Sequence, residues 1–396
     1  MANTVEPNGC DPGARPAPTP DASEPMSRHR RTFLATAPAV AVGGCVAPKV
    51  DPAVTDDRDS ATDRDGGGRT ETTIGFAGDT MVGRELNQQY GRSDVDPATI
   101  WGDLRPRLES LDGVCCNLEC CLSTRGEPAP GRTYHFRGDP EWAVPALSAG
   151  NVQFASLANN HAMDFGPVSL TDTRDVLTDA GIDVAGAGET PAAARAPATF
   201  SVGDVDVAVV SFADRYVGYA ATDDRPGIAH IDPDPSNAET QRVVGDAIER
   251  ATATDPDLLV ASVHLGPNWV ERPSGQLIAF DHWLVDRGVD LVHGHSAHVV
   301  QGIERYGDGV VLHDTGDFVD DFGIKDDLGN NRSYLFEVTL EDGALQEIRL
   351  VPIEIDDGVS RASEEAAAWL RETMRARSVL FETTYERDGD GLVVQL

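Results

Sequence analysis

Lysine is almost missing from this chain: among 396 residues only Lys49 and Lys325 are lysines, and every other basic residue is arginine. Acidic residues number 66 against 32 basic ones, for a formal net charge of −34. A surface so dominated by carboxylates repels nucleic acid and excludes it as a partner. The same coat repels itself in dilute buffer. At about 1 M salt the Debye length falls to about 3 Å, so the composition predicts a protein that works in very salty water. Long apolar runs are also lacking. The N-terminal run from Ala35 to Val42 falls far short of the roughly 20 residues a membrane span needs. Six cysteines in a chain of this length exclude a small disulfide scaffold, and the length suffices to bury a large core. No internal repeat of useful length is visible.

What is present begins with an address. Residues 1 to 25 are rich in Pro, Ala and Asp, without periodicity. Met26 then opens Ser27-Arg28-His29-Arg30-Arg31-Thr32-Phe33-Leu34 ahead of the apolar run, the pattern of a twin-arginine export signal. Met26 is therefore the expected start of translation. The run ends in Val42-Gly43-Gly44-Cys45, which resembles a lipoprotein cleavage box. Cys45 is then the expected lipidation site, the alternative being an incidental cysteine in a signal cleaved elsewhere. The reading divides the chain into an extension and signal (1–45), an acidic linker (46–71), a folded domain (72–356) and a C-terminal helix and tail (357–396). The expected location is the outer face of the cell membrane, held by lipid alone.

From Thr72 onward, strand patterns alternate with helix patterns. Strands are expected at 73–77, 113–118, 152–157, 183–185 and 258–264, and at 289–292 just before a run of histidines. Helices are expected near 98–111, 141–149, 168–180, 237–251 and 275–287. Gly203-Asp204 between 198–202 and 205–212 signals a hairpin. The segments 299–306, 310–314, 334–340 and 345–355 read as antiparallel strands, followed by a helix near 363–377. The fold class is mixed α/β.

Five polar clusters follow strand ends. They are Gly78-Asp79-Thr80-Met81 with Arg84, Asn117-Leu118-Glu119, Ala158-Asn159-Asn160-His161-Ala162-Met163-Asp164, Val263-His264-Leu265-Gly266, and His293-Gly294-His295-Ser296-Ala297-His298. Each alone is compatible with a turn or a structural histidine. Together they hold five of the ten histidines. Asn117 and Glu119, two residues apart, point the same way if extended. Imidazole, carboxylate and amide oxygen form a ligand set for Zn²⁺, Mn²⁺ or Fe²⁺. Loops at the carboxyl ends of strands in an α/β sheet converge on one crevice, so ligands spread over more than 200 residues can meet there.

In this order the motifs, with Thr315-Gly316-Asp317-Phe318 closing the series, resemble the CapA family of capsule and poly-γ-glutamate biosynthesis proteins. That family is related to calcineurin-like metallophosphoesterases. The resemblance spans about Thr72 to Ile355 and implies a four-layer α/β/β/α sandwich with a metal-capable site at one end. It implies Asp79, Glu119, Asn160, His264, His295 and His298 as metal ligands and His161 as the imidazole that protonates a leaving group, oriented by Asp164. His293 is a candidate extra ligand or supporting partner, as are Asn117 and Asp317. Two departures stand out. Met81 occupies the place of an imidazole in the phosphoesterase Asp-x-His, and Asp317 stands where relatives commonly have Asn.

The expected chemistry is metal-dependent hydrolysis or transfer at a phosphoester or amide, on an anionic cell-envelope polymer or a phosphoester. Arg84, Arg137 and Arg215 are candidates to grip such a substrate, each equally able to pair with a surface acid. The alternative is a non-catalytic, membrane-anchored component of a polymer synthesis or export complex. Cys115, Cys116, Cys120 and Cys121 bracket Glu119. They are readable as buried small hydrophobes, as a disulfide between the pairs, or as metal ligands.

Overall fold

The structure, a computed structural model, describes residues 70–356 and 358–396. The twin-arginine segment, Cys45 and nearly all of the acidic linker lie outside the described residues. Two sheets carry the architecture. The larger has ten strands, and its main path runs from the hairpin Glu386–Asp388 and Gly391–Gln395 through Ala344–Ile355, Arg332–Glu341, Glu71–Thr80, Gly113–Leu118 and Val152–Ser156 to Asp183–Ala185. The short strand Asp317–Val319 lies parallel to Glu71–Thr80. The smaller sheet has six strands in the order Ile303–Tyr306, Gly309–Leu312, Leu291–His295, Leu258–His264, Val205–Ala213, Ala198–Val202.

Two-residue alternation sorts the side chains of both sheets into layers. Ile74, Phe76, Cys115, Phe154, Tyr334 and Phe336 of the larger sheet meet Val207, Val209, Leu258, Val260, Leu291 and Leu312 of the smaller in one buried layer. The opposite face of the larger sheet is covered by Trp101, Leu104, Leu108, Trp142, Leu147 and Leu170 from its helices. On the smaller sheet Val243, Val244, Ala247, Ile248, Phe280 and Leu284 do the same. This is the α/β/β/α four-layer sandwich expected from the resemblance. Burying each such side chain contributes roughly 1.5–3 kcal/mol, and truncating a fully buried phenylalanine such as Phe336 to alanine would cost about 3–5 kcal/mol.

The helices begin where their caps dictate. Asp139 accepts a hydrogen bond from the Glu141 N–H at 3.0 Å, and Pro140 takes the first helical position of Pro140–Ala149. Ser363 caps Glu364–Arg377, whose first turn carries Glu364 and Glu365 and whose last turn carries Arg375 and Arg377, matching the helix dipole. No helix among the described residues is long and apolar enough to cross a membrane.

Three features differ from the sequence expectation. The late strands do not form one antiparallel set. Ile303–Tyr306 and Gly309–Leu312 make a hairpin at the edge of the smaller sheet, where Gly309–Leu312 runs parallel to Leu291–His295. Arg332–Glu341 and Ala344–Ile355 pair in the larger sheet. Alternation identifies a strand but not its partner, which tertiary packing selects. Beyond the C-terminal helix, Gly391–Gln395 adds antiparallel to Ala344–Ile355, burying Leu392 and Val394. Finally, Leu291–His295 continues through the histidine run instead of stopping at Val292.

Candidate metal centre

The parallel strands of both sheets end at one rim, and the polar clusters meet there. On Gly113–Leu118, Cys115 faces the other sheet, so Asn117 and then Glu119 face it too. On Leu258–His264, Leu258 and Val260 point inward, and the same parity brings Ser262 and His264 to the inter-sheet side. His293 and His295 follow Leu291 in the same way. Glu71–Thr80 breaks the rule. Phe76 faces the other sheet and Ala77 the helices, so strict alternation would turn position 79 toward the helices. The pairing with Gly113–Leu118 shifts between Ala77 and Asp79, a bulge that returns Asp79 to the inter-sheet side. Gly78 makes the bulge possible: a Cβ there would lie 1.9 Å from the Gly316 carbonyl oxygen, which accepts the Asp79 N–H at 2.9 Å.

Around Asp79 the distances are short. Asn117 Nδ2 donates to Asp79 Oδ1 at 2.7 Å, and Asn117 is itself held by Asn159 Nδ2 at 3.1 Å. His264 Nδ1 lies 3.0 Å from His295 Nδ1, and His264 Nε2 lies 2.5 Å from Asn160 Oδ1 and 3.6 Å from Glu119 Oε1. His298 Nδ1 approaches Asp79 Oδ2 at 3.1 Å and Asp317 Oδ1 at 2.9 Å. His298 sits at φ 58° and Ser296 at φ 114°, left-handed conformations unusual for residues with a Cβ. The loop is pinned there by hydrogen bonds from Ser296 N to Asp79 Oδ2 at 3.2 Å and from Ala297 N to Asp314 Oδ2 at 2.7 Å.

The charges do not balance without a cation. Asp79, Glu119, Asp314, Asp317 and Asp320 are all buried. Burial, followed by the charge of Asp79, pushes Glu119 well above the usual carboxylate range. Burial pushes Asp314 up to about 7 and Asp320 up to about 6. Burial raises Asp79 as well, but the His298 hydrogen bond and the neighbouring imidazoles outweigh it and hold the group below its ordinary value. Burial keeps His264, at about 3, and His295 neutral, the form in which imidazole ligates metal. Both Glu119 oxygens and Asp317 Oδ2 are buried and receive no hydrogen bond from the described residues. Buried acceptors left without donors, facing neutral imidazoles, fit a divalent cation.

At the edge of this cluster His161 Nδ1 lies 2.6 Å from Asp164 Oδ2, and its Nε2 is 3.9 Å from Glu119 Oε1. Asp164 also accepts the Phe136 N–H at 2.7 Å. Burial and then Arg132 lower the imidazole, and burial raises Asp164 to about 7, so the pair holds one proton between them. Arg132, which no sequence motif marks, is the organiser here. Its side chain is buried, with Nε 3.2 Å from Asp164 Oδ1 and Nη2 3.2 Å from His161 Nδ1; it also donates to the Asn160 carbonyl.

His161 opens onto a cleft of about 340 Å³ that is also lined by Arg84, Tyr134, Phe136, Trp269, Phe322 and Lys325. Lys325 Nζ stands 4.9 Å over the Trp269 ring, and the Arg84 guanidinium 5.0 Å over Phe136. Of the other expected grips, Arg215 reaches the cleft only through Asn268, to which it donates at 2.9 Å. Arg137 is engaged elsewhere, its guanidinium 3.9 Å over the Phe165 ring. His293 lies one step below the cluster, its Nε2 3.3 Å from Thr315 Oγ1. Met81 is buried in the helix-side core. The four described cysteines are free, buried thiols, as the small-hydrophobe reading expects. Cys115 lies in the layer between the sheets, and Cys116 and Cys120 lie under the helices.

Residues 73–322 match the model of the bacterial capsule synthesis protein PGA_cap family, and the chain belongs to that family. It is 35% identical over 357 residues to a "Probable polyglutamine synthesis accessory protein" of Mycobacterium tuberculosis, covering 78% of this chain and 92% of that one. To the capsule biosynthesis protein CapA of Bacillus anthracis it is 28% identical, over 72% of this chain and 68% of that protein. Among solved structures, a Thermus thermophilus sulfate thiohydrolase aligns with a TM-score of 0.42 at 14% identity, over 78% of this chain and 61% of that one.

Proposed function

We propose that this protein is a metal-dependent hydrolase or transferase acting on an anionic polymer of the poly-γ-glutamate type or on a phosphoester. It is exported by the twin-arginine route and held outside the membrane by lipid on Cys45. The observation that carries the reading is the placement of His161. The imidazole is fixed by Asp164 and Arg132, touches the edge of the ligand cluster, and faces a cleft that presents Arg84 and Lys325. Asp79, Glu119, Asn160, His264, His295 and His298 would hold the cation. A divalent cation in such a site supplies activation of water and Lewis-acid polarisation of a phosphoryl or carbonyl oxygen.

The chain's own groups do the rest. Arg84 and Lys325 draw the anionic substrate into the cleft, where Trp269, Tyr134 and Phe322 exclude water from its stem. His161 passes a proton to the leaving group, with Asp164 stabilising the imidazolium, a contribution on the order of 10²–10⁴ in rate. The test is His161→Ala in protein purified in molar salt and reconstituted with Mn²⁺ or Zn²⁺. Turnover of γ-glutamyl or phosphodiester substrates should vanish while metal content stays intact. Turnover equal to the unaltered protein would refute the assignment. The core position of Met81 favours a second reading, a binding component of a polymer-synthesis complex. Metal-loaded protein that retains polymer but turns over neither substrate would support it.

A further inference from the structure

Asp79 divides its two oxygens between two chemically different neighbourhoods. Oδ1 faces His264 Nδ1 and His295 Nδ1, each 3.8 Å away. Oδ2 faces His298 Nδ1 at 3.1 Å, and around that nitrogen stand Asp317 Oδ1 at 2.9 Å and Glu119 Oε2 at 3.9 Å. Ligand atoms of Asp79, His264 and His295 lie within 4.8 Å of one another, and so do those of Asp79, His298 and Asp317. The first group is rich in imidazole, with the Asn160 amide oxygen beside it. The second offers three carboxylates and one imidazole.

Met81 cannot contribute to either group, because its side chain is fully buried in the helix-side core. Asp317 is positioned instead. It sits in register with Asp79 across the parallel strands, and its Oδ2 is buried and receives no hydrogen bond from the described residues. A carboxylate that only oriented His298 would need one oxygen and would leave the other exposed to a donor or to water. Three carboxylates converging in a dry site also repel one another unless a cation lies among them.

We propose that Asp317 is a direct ligand of a second, oxygen-rich cation position that shares Asp79 with the imidazole-rich one, and that this position selects a hard divalent cation such as Mg²⁺ or Mn²⁺. Carboxylate sites suit those ions, whereas imidazole suits Zn²⁺ and Fe²⁺. The proposal rests on the metal reading given under Proposed function.

The test is calorimetric titration of the chelator-treated full chain with Mn²⁺ in molar KCl, joined to electron paramagnetic resonance of the loaded protein. Two binding events per chain are expected, with a spin-coupled Mn²⁺ signal, and excess Mg²⁺ should displace only one ion. Asp317→Asn keeps an acceptor for His298 and removes the charge. It should weaken the Mg²⁺-sensitive event by at least about tenfold and abolish the coupled signal, leaving the other event in place. The proposal is overturned if Asp317→Asn retains both events and the coupling, or if the unaltered protein binds one ion only. Failure of the unaltered protein to bind Mn²⁺ or Zn²⁺ at all would overturn the metal reading itself. The Mg²⁺ displacement and the coupled signal are read on the unaltered protein, so they stand even if the variant does not fold.

Discussion

Replacing Glu119 by Gln should have opposite effects on the protein with and without metal. In the metal-free state the Glu119 carboxyl is fully buried, receives no hydrogen bond from the described residues and is repelled by Asp79. An amide in its place carries no charge and can donate to Asp79, so Glu119→Gln should stabilise the metal-free fold by roughly 1–3 kcal/mol. For a fold of roughly 325 residues the unfolding entropy near 60 °C is about 0.7 kcal/mol per degree, so Tm should rise by about 1.5–4 °C in chelator. Metal reverses the order. At a concentration of about 100 times Kd the unaltered protein gains about 2.7 kcal/mol, or about 4 °C. A variant that binds about tenfold more weakly gains about 1.4 kcal/mol at the same concentration, or about 2 °C. Differential scanning calorimetry with chelator and with Mn²⁺ reads both numbers. A variant that melts lower in chelator and keeps the full metal-induced rise would refute the reasoning, because Glu119 would then be a structural acid rather than a ligand held at a cost.

Away from the site, His313 lies between Asp281 Oδ2 at 2.9 Å and Glu304 Oε2 at 3.0 Å, and Glu304 also reaches His282 at 2.9 Å. Burial lowers the His313 pKa, but the two carboxylates outweigh it, so the folded value lies above the ordinary 6.5. Its charged form therefore stabilises the fold fully below pH 6.5, and that contribution is lost as pH rises through the folded pKa. His313→Gln should cost about 3–5 kcal/mol at pH 6 and less at pH 9, measured as the gap in urea unfolding midpoints; a gap independent of pH would contradict this. Gly78→Ala should lower Tm by several degrees and cut metal stoichiometry, because its Cβ would collide with the Gly316 carbonyl; unchanged metal content would show that the bulge does not aim Asp79. Raising KCl from about 0.1 to 1 M should raise Tm steadily as self-repulsion is screened, whereas a flat or falling profile would remove the argument from net charge.

Much of this architecture is legible in the chain because alternation and strand length are strong signals when both faces of a sheet are buried. Gly113–Leu118, Asp183–Ala185, Ala198–Val202 and Leu258–His264 fall where the pattern places them. The same two-residue period foretells that Asn117 and Glu119 share a face. It does not foretell Asp79, whose direction depends on the bulge at Gly78, a shift of one residue that inverts parity and leaves no mark in hydrophobicity. Arg132 is illegible for a different reason. It stands in Gly131-Arg132-Thr133 with no partner at a fixed spacing, and becomes the support of His161 and Asp164 only when a loop folds back 28 residues or more. Asp314 and Asp320 are hidden by composition. In a chain with 44 aspartates, two more beside a strand carry no information until burial separates them from the solvated ones.

That composition sets the terms on which the site can meet a polyanion. With a formal charge of −34, the field of the chain attracts divalent cations toward the buried carboxylates and opposes an acidic polymer at long range. At about 0.15 M salt the Debye length is about 8 Å, comparable with the width of the cleft, and the surrounding acids still act on a substrate at its mouth. At about 1 M the range shrinks to about 3 Å, and a substrate feels only what it touches. What it touches here is Lys325, one of two lysines in the whole sequence, together with Arg84 and an aromatic wall. The scarcity of lysine elsewhere then becomes part of the argument. A local reversal of sign is effective only where long-range repulsion has been screened away, so the salt that stabilises the fold is also the condition under which this cleft can hold an anion.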